Sequence, residues 1–118
     1  MCATDLLSSA EIEPMVFIET PAFTADVKAL LADDSYANLQ LELAARPMAG
    51  DMIAGTGGLR KIRWALPGQG KRGGVRVIYY WRVSASQIMF LAIYGKGAKD
   101  DLTPVEKKAL RRIVEYWS

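Results

Sequence analysis

The spacing of apolar residues along the chain changes from helical to alternating near Gly50. Before that point, two amphipathic segments predict a pair of helices, one over residues 22–32 and one that ends at Arg46, before Pro47. A short run of β-forming residues at 15–20 precedes them and predicts a first strand. The apolar side of the first helix is predicted to consist of Phe23, Val27, Leu30 and Leu31.

The second half of the chain predicts three strands and a final helix. Residues 59–65 alternate, so that Ile62 and Trp64 point one way and the intervening cations the other. The run "VRVIYYWRV" predicts the next strand, and "IMFLAIY" predicts a strand covered on both faces. The final helix begins with a capping box formed by Thr103 and Glu106. The side of this helix predicted to pack on the sheet consists of Val105, Ala109, Leu110, Ile113, Val114 and Trp117.

This order of elements predicts an α+β layer fold. The 118 residues suit one domain, which we place at residues 15–118, and residues 1–14 are interpreted as an N-terminal extension without a packing pattern. No run of apolar residues approaches the roughly 18 that a membrane helix needs. The first residues also lack the basic start and apolar centre of a signal peptide. We therefore expect no membrane partner.

The composition excludes several kinds of site. The chain has no histidine and a single cysteine, Cys2, which excludes zinc sites built on thiolates or imidazoles and histidine acid–base chemistry. One cysteine cannot form an internal disulfide, which favours a reducing cytoplasm. The loop "GQGKRGG" lacks the spacing of a phosphate-binding loop, so nucleotide hydrolysis is not expected. We therefore expect neither a metal nor a cofactor.

The net charge of +2 conceals a strong segregation of charge. Residues 1–51 carry nine acidic and two basic residues, whereas residues 52–99 carry nine basic residues and no acidic one. Residues 100–118 carry four of each. Such segregation is typical of a face that binds a polyanion. The alternative is a basic surface that serves only solubility.

A cationic surface with aromatic residues suits RNA, because guanidinium groups bind phosphates and flat rings stack on unpaired bases. RNA also brings its own nucleophile, the 2′-OH, so that arginines could stabilise the phosphate's charge while a lysine or tyrosine transfers a proton. This hypothesis requires the cations to converge on one side of the sheet, free of ion pairs with the acidic N-terminal half. The residues expected on this surface are Lys61, Arg63, Arg76, Tyr94, Lys96 and Lys99.

Some of these residues have simpler interpretations. Arg60 can face the packed side of the sheet and extend its charged end to solvent. Tyr94 can be a buried core residue, since it lies on an apolar strand. Lys71 and Arg72 lie in the glycine-rich loop, where they can steer the approach of an anion without contacting it in the complex.

Two segments, "GTGGLRKIRWALPGQGKRGGVRVIYYW" and "IYGKGAKDDLTPVEKKAL", resemble the RelE/HigB-like toxins of bacterial type II toxin–antitoxin pairs, particularly the HigB-type branch. The resemblance covers residues 15–117. It implies a microbial RNase-like RelE fold, with two N-terminal helices and a C-terminal helix around a small, mainly antiparallel sheet. It also implies metal-independent, ribosome-dependent cleavage of mRNA. The implied partners are the ribosome, mRNA and a HigA-like antitoxin, through which alone the toxin would contact operator DNA.

The resemblance also implies roles for individual residues. Lys61 and Arg63 match strand cations that contact the scissile region, Arg76 matches an arginine that stabilises the transition state, and Lys96 matches a cation after the last strand. Tyr94 is a candidate for proton transfer. The cations expected to bind RNA outside the reaction centre are Arg60, Lys71, Arg72 and Lys99.

The chain departs from the family pattern at the end of the site. Many relatives carry an arginine where this chain has Gly97, and some use a tyrosine where Leu102 and Thr103 stand. Tyr94 and Lys99 are the available substitutes for that tyrosine.

Two other functions stay open at this point. A ParE-like toxin shares the fold but inhibits DNA gyrase without cutting RNA. A non-catalytic RNA- or ribosome-binding module would use the same cationic face. The strand cations favour the nuclease, because a gyrase inhibitor has no need of them.

Overall fold

The structure is a computed structural model that describes residues 15–66, 74–95 and 101–117. In these ranges the element order confirms the predicted α+β fold, with one addition, the two-residue strand β2. No helix in these ranges is long and apolar enough to cross a membrane. The elements are β1 (Val16–Glu19), α1 (Pro21–Leu30), α2 (Asp33–Ala45), β2 (Asp51–Met52), β3 (Leu59–Trp64), β4 (Val75–Arg82), β5 (Gln87–Gly95) and α3 (Pro104–Trp117).

The five strands form one sheet in the order β1-β5-β4-β3-β2. β1 runs parallel to β5, and the other neighbouring strands are antiparallel. β5 lies between β1 and β4 and is buried on both faces, as its continuous apolar run predicts. Ile88 and Phe90 belong to one apolar cluster, whereas Met89 and Leu91 belong to the other.

Helices α1 and α2 contribute to the cluster on one face of the sheet. α1 begins at the predicted cap, where the Thr20 hydroxyl accepts a hydrogen bond of 3.2 Å from the backbone N–H of Phe23. The buried core of this layer is formed by Phe23, Val27, Leu31, Leu39, Leu43, Tyr79 and Phe90, among others. Each such side chain contributes about 1.5–3 kcal/mol when it is fully removed from water.

Tyr79 connects this core to the segment before β2. Its hydroxyl donates to the carbonyl of Pro47 at 2.7 Å and accepts from the backbone N–H of Gly50 at 2.8 Å. Burial raises the pKa of Tyr79, so the ring stays neutral and both hydrogen bonds persist at neutral pH. These two hydrogen bonds fix the segment from Pro47 to Gly50, which leads directly into β2.

Helix α3 packs on the opposite face of the sheet, but through a narrower stripe than the sequence predicted. Val114 is buried against Leu59 and Ile78, and Leu110 and Trp117 pack beside it. The prediction is wrong for Val105, Ala109 and Ile113, which are exposed. Each step along a helix turns about 100°, so these three residues form a second stripe beside the packed one.

The "GTGG" motif forms the turn between β2 and β3. Its glycines Gly55, Gly57 and Gly58 adopt φ angles of +75°, +77° and +118°, which L-residues with side chains rarely adopt. Thr56 is fully buried; its hydroxyl donates to the carbonyl of Ile53 at 2.6 Å and accepts from the N–H of Leu59 at 3.2 Å. The motif is therefore a structural element that leads the chain into β3.

Candidate functional site

Three of the predicted reaction residues form a row across the sheet. Arg63 on β3 lies directly opposite Arg76 on β4, and Arg76 lies directly opposite Tyr94 on β5. Residues opposite one another in antiparallel strands project from the same face, with their Cβ atoms about 4.5–5.5 Å apart. We call Arg63, Arg76 and Tyr94 the cross-strand row. Lys61, two positions before Arg63, projects from the same face.

The members of the cross-strand row differ in their accessibility to solvent. Arg63 is exposed, whereas only 2% of Arg76 and 6% of Tyr94 remain accessible. Nη1 of Arg76 donates to the carbonyl of Gly74 at 3.5 Å. Cations directly opposite on neighbouring strands repel one another, and a buried cation acts on an anion through a lower effective dielectric than water provides. An anion placed between the two guanidinium groups would relieve their repulsion.

Lys61 is held by an acidic residue from the segment before α3. Its Nζ donates to the carboxylate of Asp101, and only 15% of the lysine side chain is accessible against 69% of the aspartate side chain. The hydrogen bond and charge of Lys61 lower the pKa of Asp101, and Lys107 and Arg63 lower it further. The Asp101 carboxylate is therefore ionised at neutral pH, and because it is exposed it can be exchanged for another anion.

The acidic residues of helices α1 and α2 belong to the other layer of the protein. Across the residues that the structure describes, no ion pair joins Lys61 or Arg63 to an acidic residue of positions 15–51. Glu42, for example, pairs with Arg46 on its own helix at 3.1 Å. The convergence that the sequence hypothesis required is thus present for these two cations.

The structure does not bring Arg60 into the same group. One step along a strand reverses the face, so Arg60 projects on the side of α1 and α2. Its Nη1 donates to the carbonyl of Gly50 at 2.8 Å and approaches that of Met48 at 3.4 Å. Arg60 therefore faces the packed side of the sheet, as the simpler of its two interpretations expected. Its position gives no support to the predicted contact with RNA. Lys71, Arg72, Lys96 and Lys99 lie outside the described residues.

A cleft of about 260 Å³ lies next to Lys61 and Arg63, and no pattern along the chain predicts it. β2 pairs with Arg60 and Lys61, and among the strands that the structure describes none pairs with residues 62–64 on that side, so these residues continue along an open edge of the described sheet. The cleft borders this edge and the C-terminal end of α2. Its lining residues are Glu42, Arg46, Ala49, Asp51, Lys61, Ile62, Arg63 and Trp64. Glu42 and Asp51 come from the acidic first half of the chain.

No metal site is evident in the described ranges, where no three Cys, Asp or Glu residues lie close enough together to hold an ion. The positive charge of the site comes from Lys61, Arg63 and Arg76. Such a group of cations beside a buried tyrosine can bind a phosphodiester and stabilise additional negative charge on it.

Residues 29–118 match the family model described as "RelE toxin of RelE / RelB toxin-antitoxin system". The chain belongs to the RelE toxin family. It is therefore a toxin of a toxin–antitoxin system, and an antitoxin is its implied partner. RelE-family membership also places it among endoribonucleases.

The fold of this RelE-family toxin is similar to that of the E. coli toxin RelE. A mutant of that toxin in the free state is 15% identical, with a TM-score of 0.58, over 86% of this chain and 99% of the other. A crystal structure of the isolated E. coli RelE toxin is 17% identical, with a TM-score of 0.47, over 84% and 98% of the two chains. At this level of identity, the first comparison confirms the predicted RelE fold and carries nothing about individual site residues.

Proposed function

We propose that this RelE-family toxin cleaves mRNA on the ribosome and thereby stops translation. The observation that supports the proposal is the cross-strand row, in which an exposed and a buried arginine lie opposite one another beside a buried tyrosine. Lys61 on the same face adds a third cation. We place its action in the cytoplasm, where mRNA is translated.

In the proposed reaction, the 2′-OH of the RNA attacks the neighbouring phosphorus and the bond to the 5′-oxygen of the next nucleotide breaks. The products are a 2′,3′-cyclic phosphate and a free 5′-OH, with one proton removed from the 2′-OH and one delivered to the leaving oxygen. Arg63 and Arg76 bind the non-bridging oxygens and stabilise the charge that develops on them. These side chains supply that charge without a metal ion.

Tyr94 is the residue of the row that carries a dissociable proton. It lies opposite Arg76, so a phosphate bound by that arginine comes close to the phenol. We assign it proton transfer to or from the reacting oxygens. Lys61 binds a phosphate after exchange with Asp101, which brings the RNA backbone into line with the row.

The ribosome supplies what this site lacks. The chain contains no histidine, the residue that most often transfers protons in enzymes. Precise placement of the 2′-OH in line with the leaving oxygen can compensate, because well-oriented reactions gain many orders of magnitude in rate. A decoding site that holds mRNA in a fixed conformation provides such placement.

The partner antitoxin is proposed to be HigA-like and DNA-binding, because the motifs in residues 55–81 and 93–110 resemble those of HigB-type toxins.

Induced expression in a growing bacterial culture tests this function. We expect growth arrest accompanied by new 5′ ends inside translated mRNAs, and no cleavage of the same mRNAs when ribosomes are omitted from a purified reaction. A DNA-damage response with intact mRNA would instead support a gyrase inhibitor. Arrest with intact mRNA and undamaged DNA would support a non-catalytic ribosome-binding module.

Replacement of Asp101 by asparagine is expected to strengthen RNA binding. In the native protein, a phosphate must displace the Asp101 carboxylate from Lys61, whereas in the variant Lys61 binds a phosphate and releases a counterion. The log–log slope of affinity against salt should therefore steepen by about 0.7. Fluorescence anisotropy with a 2′-O-methylated, uncleavable single strand measures this slope.

The pH and a matched variant provide controls for this measurement. The lowered pKa keeps the Asp101 carboxylate ionised, and therefore paired with Lys61, at every pH above the ordinary aspartate pKa of about 3.9. The pairing is lost only as the pH falls through the still lower pKa that Asp101 has in the folded protein. The difference in slope should accordingly be constant between pH 6 and pH 8. Asp34→Asn, in the first turn of α2 on the other layer, removes the same charge and should leave the slope unchanged. Equal slopes for native protein and Asp101→Asn would exclude Lys61 as a phosphate contact.

A further inference from the structure

We propose that the cleft beside β3 binds one unpaired base of the RNA, next to the cleaved phosphate, and prefers bases that carry an exocyclic amino group. The inference rests on the proposed function, because the cleft acquires a nucleotide only if the cross-strand row binds the backbone. Lys61 and Arg63, whose side chains project from the cationic face, line the cleft together with Ile62 and Trp64, whose side chains project from the opposite face of β3. The cleft therefore lies at the edge of the strand, where a backbone held by the two cations can place a base around that edge.

The walls of the cleft suit a flat aromatic ligand better than a phosphate. Trp64, Ile62 and Ala49 provide apolar surface, and about 260 Å³ is below the 300–1,000 Å³ that is typical of sites for larger ligands. Single-stranded RNA is commonly recognised by bases that leave the stack and pack on aromatic rings or guanidinium planes. Trp64 is half-buried and lies on the open edge of β3, so its ring has both a fixed position and access from solvent.

The charges of the cleft are mixed, and this distinguishes it from a phosphate site. Glu42 and Asp51 place two carboxylates among the lining residues, and carboxylates repel phosphates. Carboxylates accept hydrogen bonds from amino groups on the edges of bases. A base is the part of a nucleotide that offers such donors, so the two carboxylates indicate a base and the neighbouring cations indicate its backbone.

The arrangement of Glu42 and Arg46 favours guanine among the bases with amino groups. These two side chains are one helical turn apart and form an ion pair at 3.1 Å, so a carboxylate and a guanidinium lie side by side at the cleft. Guanine presents two neighbouring N–H donors beside a carbonyl acceptor on one edge, which complements this pair. Uracil has no amino group, and its single ring N–H lies between two carbonyl oxygens, which the same carboxylates repel. We therefore expect uracil to bind least tightly.

Binding can be measured without any cleavage. The probes are four 2′-O-methylated trinucleotides with uracil at both ends and guanine, adenine, cytosine or uracil at the centre, and the signal is the indole N–H resonance of Trp64. The chain has three tryptophans, so a Trp64→Phe variant assigns the resonance. We expect the guanine probe to shift this resonance at about tenfold lower concentration than the uracil probe.

Removal of the carboxylates tests the source of that preference. In Glu42→Gln combined with Asp51→Asn, the guanine and uracil probes should bind with nearly equal affinity. Glu115→Gln is the matched control, because Glu115 also forms a helical ion pair at 3.1 Å, with Arg111 on α3, and should preserve the tenfold difference. Equal affinities in the native protein, or a preference that survives the double variant, would overturn the proposal.

Mapping of cleavage sites separates this inference from the proposed function. In the double variant, cleavage beside guanine should fall towards the level of cleavage beside uracil, so that the bias in the base beside the cut becomes weaker. Cleavage with an unchanged bias would overturn the base site and leave the nuclease intact. A shift of Trp64 that favours guanine in a protein that cleaves nothing would support the base site and contradict the nuclease.

Discussion

Replacement of Arg76 by alanine is expected to lower the rate of mRNA cleavage by about 10²–10³-fold, which is the usual effect of removing one donor that stabilises a developing anion. Arg76 lies at the centre of the cross-strand row, between Arg63 and Tyr94, and is 2% accessible. Its charge therefore acts in a poorly hydrated position, so water cannot take over the stabilisation of the developing anion when the side chain is removed. Single-turnover cleavage of ribosome-bound mRNA measures the loss.

Two further variants show whether the effect depends on the positive charge of Arg76, on the shape of its guanidinium group, or on its position in the sheet. Arg76→Lys keeps the charge but loses the planar fork of donors, so we expect only partial activity. Arg82→Ala removes another arginine of β4, one whose guanidinium lies 5.1 Å from the ring of Trp117, far from the row. This control should cleave at the native rate. Circular dichroism must show that Arg76→Ala is folded, because it empties a buried site; full activity in a folded Arg76→Ala protein would remove Arg76 from the reaction.

Replacement of Gly74 by alanine is expected to lower the free energy of unfolding by about 3 kcal/mol, at the upper end of the costs of overpacking. A Cβ atom at this position would lie 1.9 Å from the carbonyl oxygen of Trp64 and 2.8 Å from its carbonyl carbon. Both are backbone atoms, so no change of rotamer relieves the clash. The ends of β3 and β4 must separate, and Arg76 lies two residues away.

Urea denaturation of the purified variants measures this difference in stability. Gly95→Ala is the matched control, because Gly95 ends β5 opposite Val75 and, apart from its chain neighbours, no atom of the described residues lies within 4 Å of its added Cβ. We expect that control to stay within about 0.5 kcal/mol of the native protein. If Gly74→Ala were equally stable, the close approach of β3 and β4 at Trp64 would be incorrect.

Local patterns were enough to predict most of the elements. The helical spacing of Phe23 and Val27 and the alternation from residue 59 to residue 64 depend only on neighbours along the chain, which is why they are visible in the sequence. Strand β2 was missed because two residues are too few to show a period. The side on which α3 packs was predicted too broadly, because its apolar residues exceed what one face of the sheet covers.

By itself, the sequence determined that Lys61 and Arg63 share one face of a strand and that their half of the chain carries the positive charge, since alternation and composition are local properties. Only the tertiary structure decided which residues lie opposite them. The row of Arg63, Arg76 and Tyr94 depends on the register of three strands, and the pairing of Lys61 with Asp101 spans 40 residues. The cleft joins the end of α2 to the edge of β3. Register and packing arise from turns and the whole core, and therefore leave no pattern at any single position.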